Sequence, residues 1–217
     1  MRKIILLLLA AFLSLPASAQ QGLPEIKTRA AALAALEHAD AGHRAAGVIY
    51  IGRTGLAADG PLLVTRLADD DHLVRAFAEQ SVWQVWSRSG DAATDKLLVA
   101  GIEEMELGLY TEAIHTFSNV IERKPDFAEG WNKRATALFL AGDLQRSLAD
   151  CDEVIKRNPQ HFGALSGYGQ IYIQLEQYAK AIEYFRRALK VNPNLTGLES
   201  AIPRIEKLMR QKRGIEI

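Results

Sequence analysis

The side chains that could do chemistry are few. Five histidines, His38, His43, His72, His115 and His161, and one cysteine, Cys151, are the candidate proton carriers and soft metal ligands. No two histidines have the His-x-x-x-His spacing that puts two imidazoles on one helix face, and none is joined to the cysteine at zinc-ligand spacing. Asp69-Asp70-Asp71-His72 is the densest cluster. An octahedral cation site there would need further oxygen donors, and the sequence offers none nearby. Standing just before an apolar periodic run, the cluster reads instead as an inter-helix turn, with Asp70 or Asp71 capping a helix that begins near His72. Gly167-Tyr168-Gly169 has the glycines of a phosphate loop, but no strand precedes it and both glycines fall inside a helical stretch. There is no Gly-x-Ser-x-Gly elbow and no cysteine–histidine pair in a nucleophile's setting. These residues point to no catalytic, metal or cofactor site, so the chain is expected not to be an enzyme.

What the sequence does supply is a period. From Thr94 to Leu195 one 34-residue unit recurs three times (94–127, 128–161, 162–195) without insertion or deletion. Gly101, Ala135 and Gly169 form one column, and Ala113, Ser147 and Ala181 another. Phe117, Cys151 and Phe185 follow, then Val120, Val154 and Ala188, and Pro125, Pro159 and Pro193 close each copy. Apolar residues fall at helical spacing on two helices per copy. The small column lets those helices approach closely, Gly108 and Gly142 suit a left-handed turn between them, and the prolines end each unit. Cys151 shares its column with two phenylalanines, so it is expected to be a buried, inert small hydrophobe. As the sole cysteine it can form no intrachain disulfide.

Segments such as GLYTEAIHTFSNVIERKPDF and LEQYAKAIEYFRRALKVNPNL carry the small-residue, aromatic and proline marks of the tetratricopeptide repeat family, which residues 94–195 closely resemble. The departures are Glu104 and Arg134 for apolar residues, Ser147 for alanine and Cys151 for an aromatic. The resemblance implies an all-α fold, a right-handed α-solenoid of antiparallel helix hairpins, whose terminal repeat must be covered. Leu198, Ile202, Ile205 and Leu208 of a C-terminal helix (196–213) can do so. Thr196-Gly-Leu-Glu199 has capping-box spacing, and Pro203 is expected to kink that helix or bound its first turn.

Residues 23–93 are alanine-rich and helical, with a different period. Leu36 and Leu67, Asp40 and Asp71, and Arg44 and Arg75 are each 31 apart. An acidic turn followed by an arginine-marked helix is similar to HEAT-like repeats. The alternatives are two degenerate tetratricopeptide-type hairpins or an irregular helical cap. Asp59-Gly60-Pro61 and Ser89-Gly90-Asp91 are the clearest turn signals, the second marking the junction between halves.

Residues 1–19 read as a signal peptide: Arg2 and Lys3, an apolar run from Ile4 to Leu15, then Ala17-Ser18-Ala19 before Gln20. No cysteine follows for lipidation, so an exported protein is expected, in a bacterial periplasm, with no stable membrane insertion after cleavage. The whole chain has 26 basic and 26 acidic residues, and loss of Arg2 and Lys3 leaves a net charge of about −2. That balance argues against a nucleic-acid partner. The basic cluster Arg210, Lys212 and Arg213 complements a helix C-terminus.

The family resemblance implies that the first helix of each hairpin lines a concave groove. Its positions here are Leu98, Ile102 and Met105, then Asn132, Thr136 and Phe139, then Ser166, Gln170, Ile173 and Gln174. An apolar strip beside an amide and hydroxyl strip suits a protein or peptide partner. Chaperone adaptors of the family grip a partner's C-terminal carboxylate with lysines, asparagines and an arginine. The matching positions are Leu98, Ile102, Lys133, Gly163 and Gly167, none of which fits. The expected function is a non-catalytic scaffold binding a protein or peptide in the cell envelope. The alternative is a structural subunit of an envelope assembly, using its convex face or its N-terminal half.

Overall fold

The computed structural model describes residues 22–212 and 214, so the signal-peptide reading of residues 1–19 lies outside it. The described residues form eleven α-helices and no strand, and they divide after Asp91 into two compact units.

The first unit holds α1 (Arg29–Leu36), α2 (Ala41–Thr54), the short α3 (Gly60–Val64) and α4 (His72–Trp86). Asp40 caps α2 by accepting the His43 N–H at 3.0 Å, and Asp71 caps α4 by accepting those of Leu73 and Val74 at 2.8 and 3.1 Å. The two arginines 31 residues apart do the same work in each copy. Arg44 donates to the carbonyls of His38 and Ala39, six and five residues back, and Arg75 donates to those of Asp69 and Asp70. Arg44 also makes a two-pronged bond to Asp69 at 2.7 and 2.8 Å, which joins one copy's turn to the next. The Asp59-Gly60-Pro61 cluster starts a helix rather than merely turning the chain: a 3-10 turn, Ala57–Asp59, runs straight into α3, with proline in its first turn. The buried Asp59 pairs there with Arg29. Val48, Ile51, Leu67, Val74, Phe77 and Trp86 form the centre of this unit.

The second unit is a solenoid of three hairpins, α5 (Ala92–Glu106) with α6 (Tyr110–Arg123), α7 (Ala128–Leu140) with α8 (Leu144–Arg157), and α9 (Phe162–Gln174) with α10 (Tyr178–Val191). Each helix packs on the next, and α7 also touches α5 and α9, so the first helices form one layer. The column logic is physical. A Cβ on Gly101 would lie 2.5 Å from the Phe117 ring, and one on Gly169 would lie 2.2 Å from Phe185. Where the column carries Ala135 instead, its partner shrinks to Cys151, and Tyr168 and Ile171 complete that cluster. Each buried phenylalanine stabilises the hairpin by roughly 2–3 kcal/mol.

The departures also find partners. Ser147 donates to the Ala135 carbonyl at 2.7 Å. Arg134 joins three helices, donating to Asp150 at 2.7 and 2.8 Å and to Ser118 at 3.0 Å. Gly108 and Gly142 adopt φ of 78° and 86°, and the third turn places Glu176 in the same left-handed region at 58°.

Helix α11 (Thr196–Lys212) packs on α10, burying Leu198, Ile202 and Ile205 while Leu208 stays exposed. Thr196 lies inside this helix and not at its cap, and the helix runs through Pro203. Among the described residues no helix is long and apolar enough to cross a membrane.

Candidate functional site

The layer formed by α5, α7 and α9 carries the expected groove residues, and burial sorts them sharply. Leu98, Met105, Asn132 and Ser166 are buried and cannot contact a partner. Their polar groups are already engaged: Ser166 donates to its own helix at the Phe162 carbonyl, 2.7 Å, and Asn132 donates to Glu129 at 3.2 Å. Ile102 is half-buried against the core of the first hairpin, as Phe139 is against that of the second. The Thr136 hydroxyl is spent on the Asn132 carbonyl at 2.9 Å. Gln170 and Ile173 remain partly reachable and Gln174 is exposed. Gln170 and Gln174 are one helical turn apart, so their amides share a face.

Two positions on this face gave no usable signal in the sequence. Val99 is 54% exposed on α5. In its column, 34 residues apart, follow Lys133 and Gly167. Gly167 differs from Gly101, Gly130 and Gly169, because a Cβ there would meet only the Cys151 sulfur, at 3.8 Å. Internal packing does not require glycine at that point. Glycine inside a helix costs about 0.5–1 kcal/mol relative to alanine, and here nothing inside the fold offsets it. What it leaves is bare helix backbone beside Gln170.

Beneath the face lies a buried polar network that no period announces. Glu129, in the first turn of α7, is 1% exposed, and His161, which caps α9, is 0% exposed. The Glu129 carboxylate meets His161 Nε2 at 2.9 Å and Lys133 Nζ at 3.2 Å. His161 Nδ1 accepts the Ala164 N–H at 3.1 Å, so Nε2 carries the proton that Glu129 receives. Burial pushes the Glu129 carboxyl up, but the Lys133 charge and the His161 hydrogen bond outweigh it and hold the group below the usual range. The network ties the second repeat to the third and leaves Lys133 with a carboxylate of its own.

Cys151 is buried, and burial, then the neighbouring Asp150 and Asp152, push its thiol far up, which makes it inert. In the first unit Asp69 pairs with Arg44 and Asp71 caps α4, so the acidic cluster is spent on structure. One juxtaposition escaped the sequence spacing: His38, Asp40 and His43 come together across the turn before α2. The histidines stand five positions apart, too far for one helix face, but the turn folds the first back over the second.

Family models for the tetratricopeptide repeat match residues 98–161 and 162–195. A TPR repeat-containing protein of Rhizobium etli is 32% identical over 108 residues, 50% of this chain and 53% of the relative. Hsp70-Hsp90 organizing protein 1 of Glycine max is 27% identical over 121 residues, 55% of this chain and 21% of the relative. The chain thus spans about half or less of these curated relatives. Among solved structures, the Sgt2 TPR domain from Aspergillus fumigatus is similar at TM-score 0.54 and 20% identity, over 58% of this chain and 86% of that one. The first TPR of Spaghetti (RPAP3), solved bound to an HSP90 peptide, is similar at TM-score 0.51 and 22% identity, over 54% of this chain and 92% of that one.

Proposed function

The chain is a tetratricopeptide-repeat protein, and from that premise we propose that it is a non-catalytic scaffold holding a segment of another protein across the α5–α7–α9 face. The observation that carries this reading is Gly167, a helical glycine with no internal reason to be small. Bare backbone there lets a peptide main chain approach closely. The side-chain amides of Gln170 and Gln174 have no protein partner among the described residues and can bond the N–H and C=O groups of such a peptide. Val99, Ile102 and Ile173 supply apolar flanks.

The solved relative bound to an HSP90 peptide supports a peptide as the class of ligand. The grip differs from the carboxylate clamp of the family's chaperone adaptors. Of the five matching positions, Leu98 is buried, Ile102 is apolar, Gly163 and Gly167 carry no side chain, and Lys133 is paired with Glu129. The partner is therefore held along an internal stretch through its backbone, not by its C-terminal carboxylate. The N-terminal Arg2-Lys3, the apolar run and Ala17-Ser18-Ala19 support export, so the partner is sought in the cell envelope.

The test is affinity capture from envelope extract with the chain from Gln20 onward, beside Gly167→Leu and Gln170→Ala variants. Leucine is a better helix former than glycine, and a Cβ at 167 makes only an ordinary contact with the Cys151 sulfur, so folding is retained while the approach is blocked. A partner captured by the parent and lost by Gly167→Leu supports the reading. Equal capture by all three removes this face from the function.

A further inference from the structure

We propose that the turn between α1 and α2 binds a divalent transition-metal ion of the zinc, nickel or copper class through His38, Asp40 and His43. One ligand atom from each of the three lies within 4.8 Å of the others. His43 Nδ1 stands 2.9 Å from Asp40 Oδ1, and His38 Nδ1 accepts the Asp40 N–H at 3.0 Å. The two imidazoles stack, centroids 4.0 Å apart and planes 25° apart.

The scaffold behind the three donors is firm. Arg44 donates to the carbonyls of His38 and Ala39 at 3.0 and 2.8 Å, which fixes the turn, and its own charge is answered by Asp69. The other nearby carboxylate, Glu37, pairs with Arg66 at 3.4 Å. Gly42 gives the Asp40 carboxylate room, since a Cβ there would sit 3.1 Å from Oδ1. As ligands, two imidazoles and one carboxylate bring a single negative charge to a divalent cation. Imidazole-rich sets suit zinc, nickel and copper, whereas calcium and magnesium want more oxygens than this turn provides. The ion takes the place of the hydrogen between His43 Nδ1 and Asp40 Oδ1, which passes to solvent, while the Asp40 amide keeps its own hydrogen. Both rings are solvent-accessible and turn to bring a nitrogen to about 2.0–2.1 Å from it. Three protein ligands leave a further position for water or a fourth donor.

The test is calorimetric titration of the full chain with zinc chloride. The proposal predicts one ion per chain, with affinity at least about tenfold weaker in His38→Ala and in His43→Ala. His115→Ala, on the exposed side of α6, is the control and is predicted to bind as the parent does. The alanine variants leave Asp40 in place, so the α2 cap persists, and circular dichroism checks that they fold. As a readout without substitutions, copper(II) should broaden the ring signals of His38 and His43 first in the NMR spectrum of the parent. No zinc binding, unchanged binding in both variants, or broadening that begins at His72 or His115 would each overturn the proposal.

Discussion

The two units of this chain stack helices with different materials. In the second unit the recurring feature is shape: a glycine faces a phenylalanine in the first and third hairpins, and an alanine faces a cysteine in the second. In the first unit the recurring feature is a polar turn, where an aspartate caps the coming helix and an arginine reaches back to two carbonyls. Shape is intolerant of substitution, because a close-packed interior cannot relax around a missing ring. Polar turns fail more locally, because water can replace part of what is lost.

The largest effect is therefore expected from Phe185→Ala, which removes a fully buried ring from against Gly169. A loss of about 3–5 kcal/mol is predicted, measured by chemical denaturation of the second unit. In the first unit, Arg44→Ala leaves the buried Asp69 without its two-pronged partner and frees the turn carbonyls. Amide exchange should accelerate from α1 to α4 and stay unchanged from α6 to α10. Faster exchange throughout would show that the polar turns do not act locally.

Acid sharpens the same contrast. The Arg29 hydrogen bond holds the Asp59 carboxyl below its ordinary 3.8. At Asp69 burial acts upward, but the bonds from Arg44 and the Asp71 N–H prevail and lower it as well. A carboxylate with a lowered folded-state pKa contributes stability that is fully present above its unfolded value and is lost as pH falls through the folded one. Both units carry such groups, since Glu129 is also lowered, but the first has its aspartates at the turns that join its helices. Below about pH 4 the first unit should melt earlier in a pH series followed by residue-resolved exchange. The smallest effect is expected at Glu176, the non-glycine member of the left-handed column with Gly108 and Gly142. Glu176→Gly relieves that conformation and should raise stability by about 1 kcal/mol in thermal unfolding.

The comparison also explains what could be read from the chain. The 34-residue columns were legible because packing between helices repeats wherever the hairpin repeats, and the arginine and aspartate pairs 31 apart for the same reason. Glu176 was hidden because backbone conformation at that turn is fixed by its neighbours and not by its own preference. The groove was legible only as a helix face. Nothing in the letters distinguishes the buried Leu98, Met105, Asn132 and Ser166 from the accessible Gln170 and Gln174, since a solenoid face is partly consumed by contact between successive repeats. Glu129 with His161, and His38 with His43, joined residues whose meeting depends on turn geometry, so spacing rules for a single helix passed over both.

The most direct measurement is photo-crosslinking in envelope extract from a benzoylphenylalanine placed at Gln170, with a second placed at Glu183 on the exposed side of α10. A partner crosslinked from position 170 and not from position 183 is the predicted result. The same partner crosslinked from position 183 alone would contradict the account and assign recognition to the second helices of the hairpins.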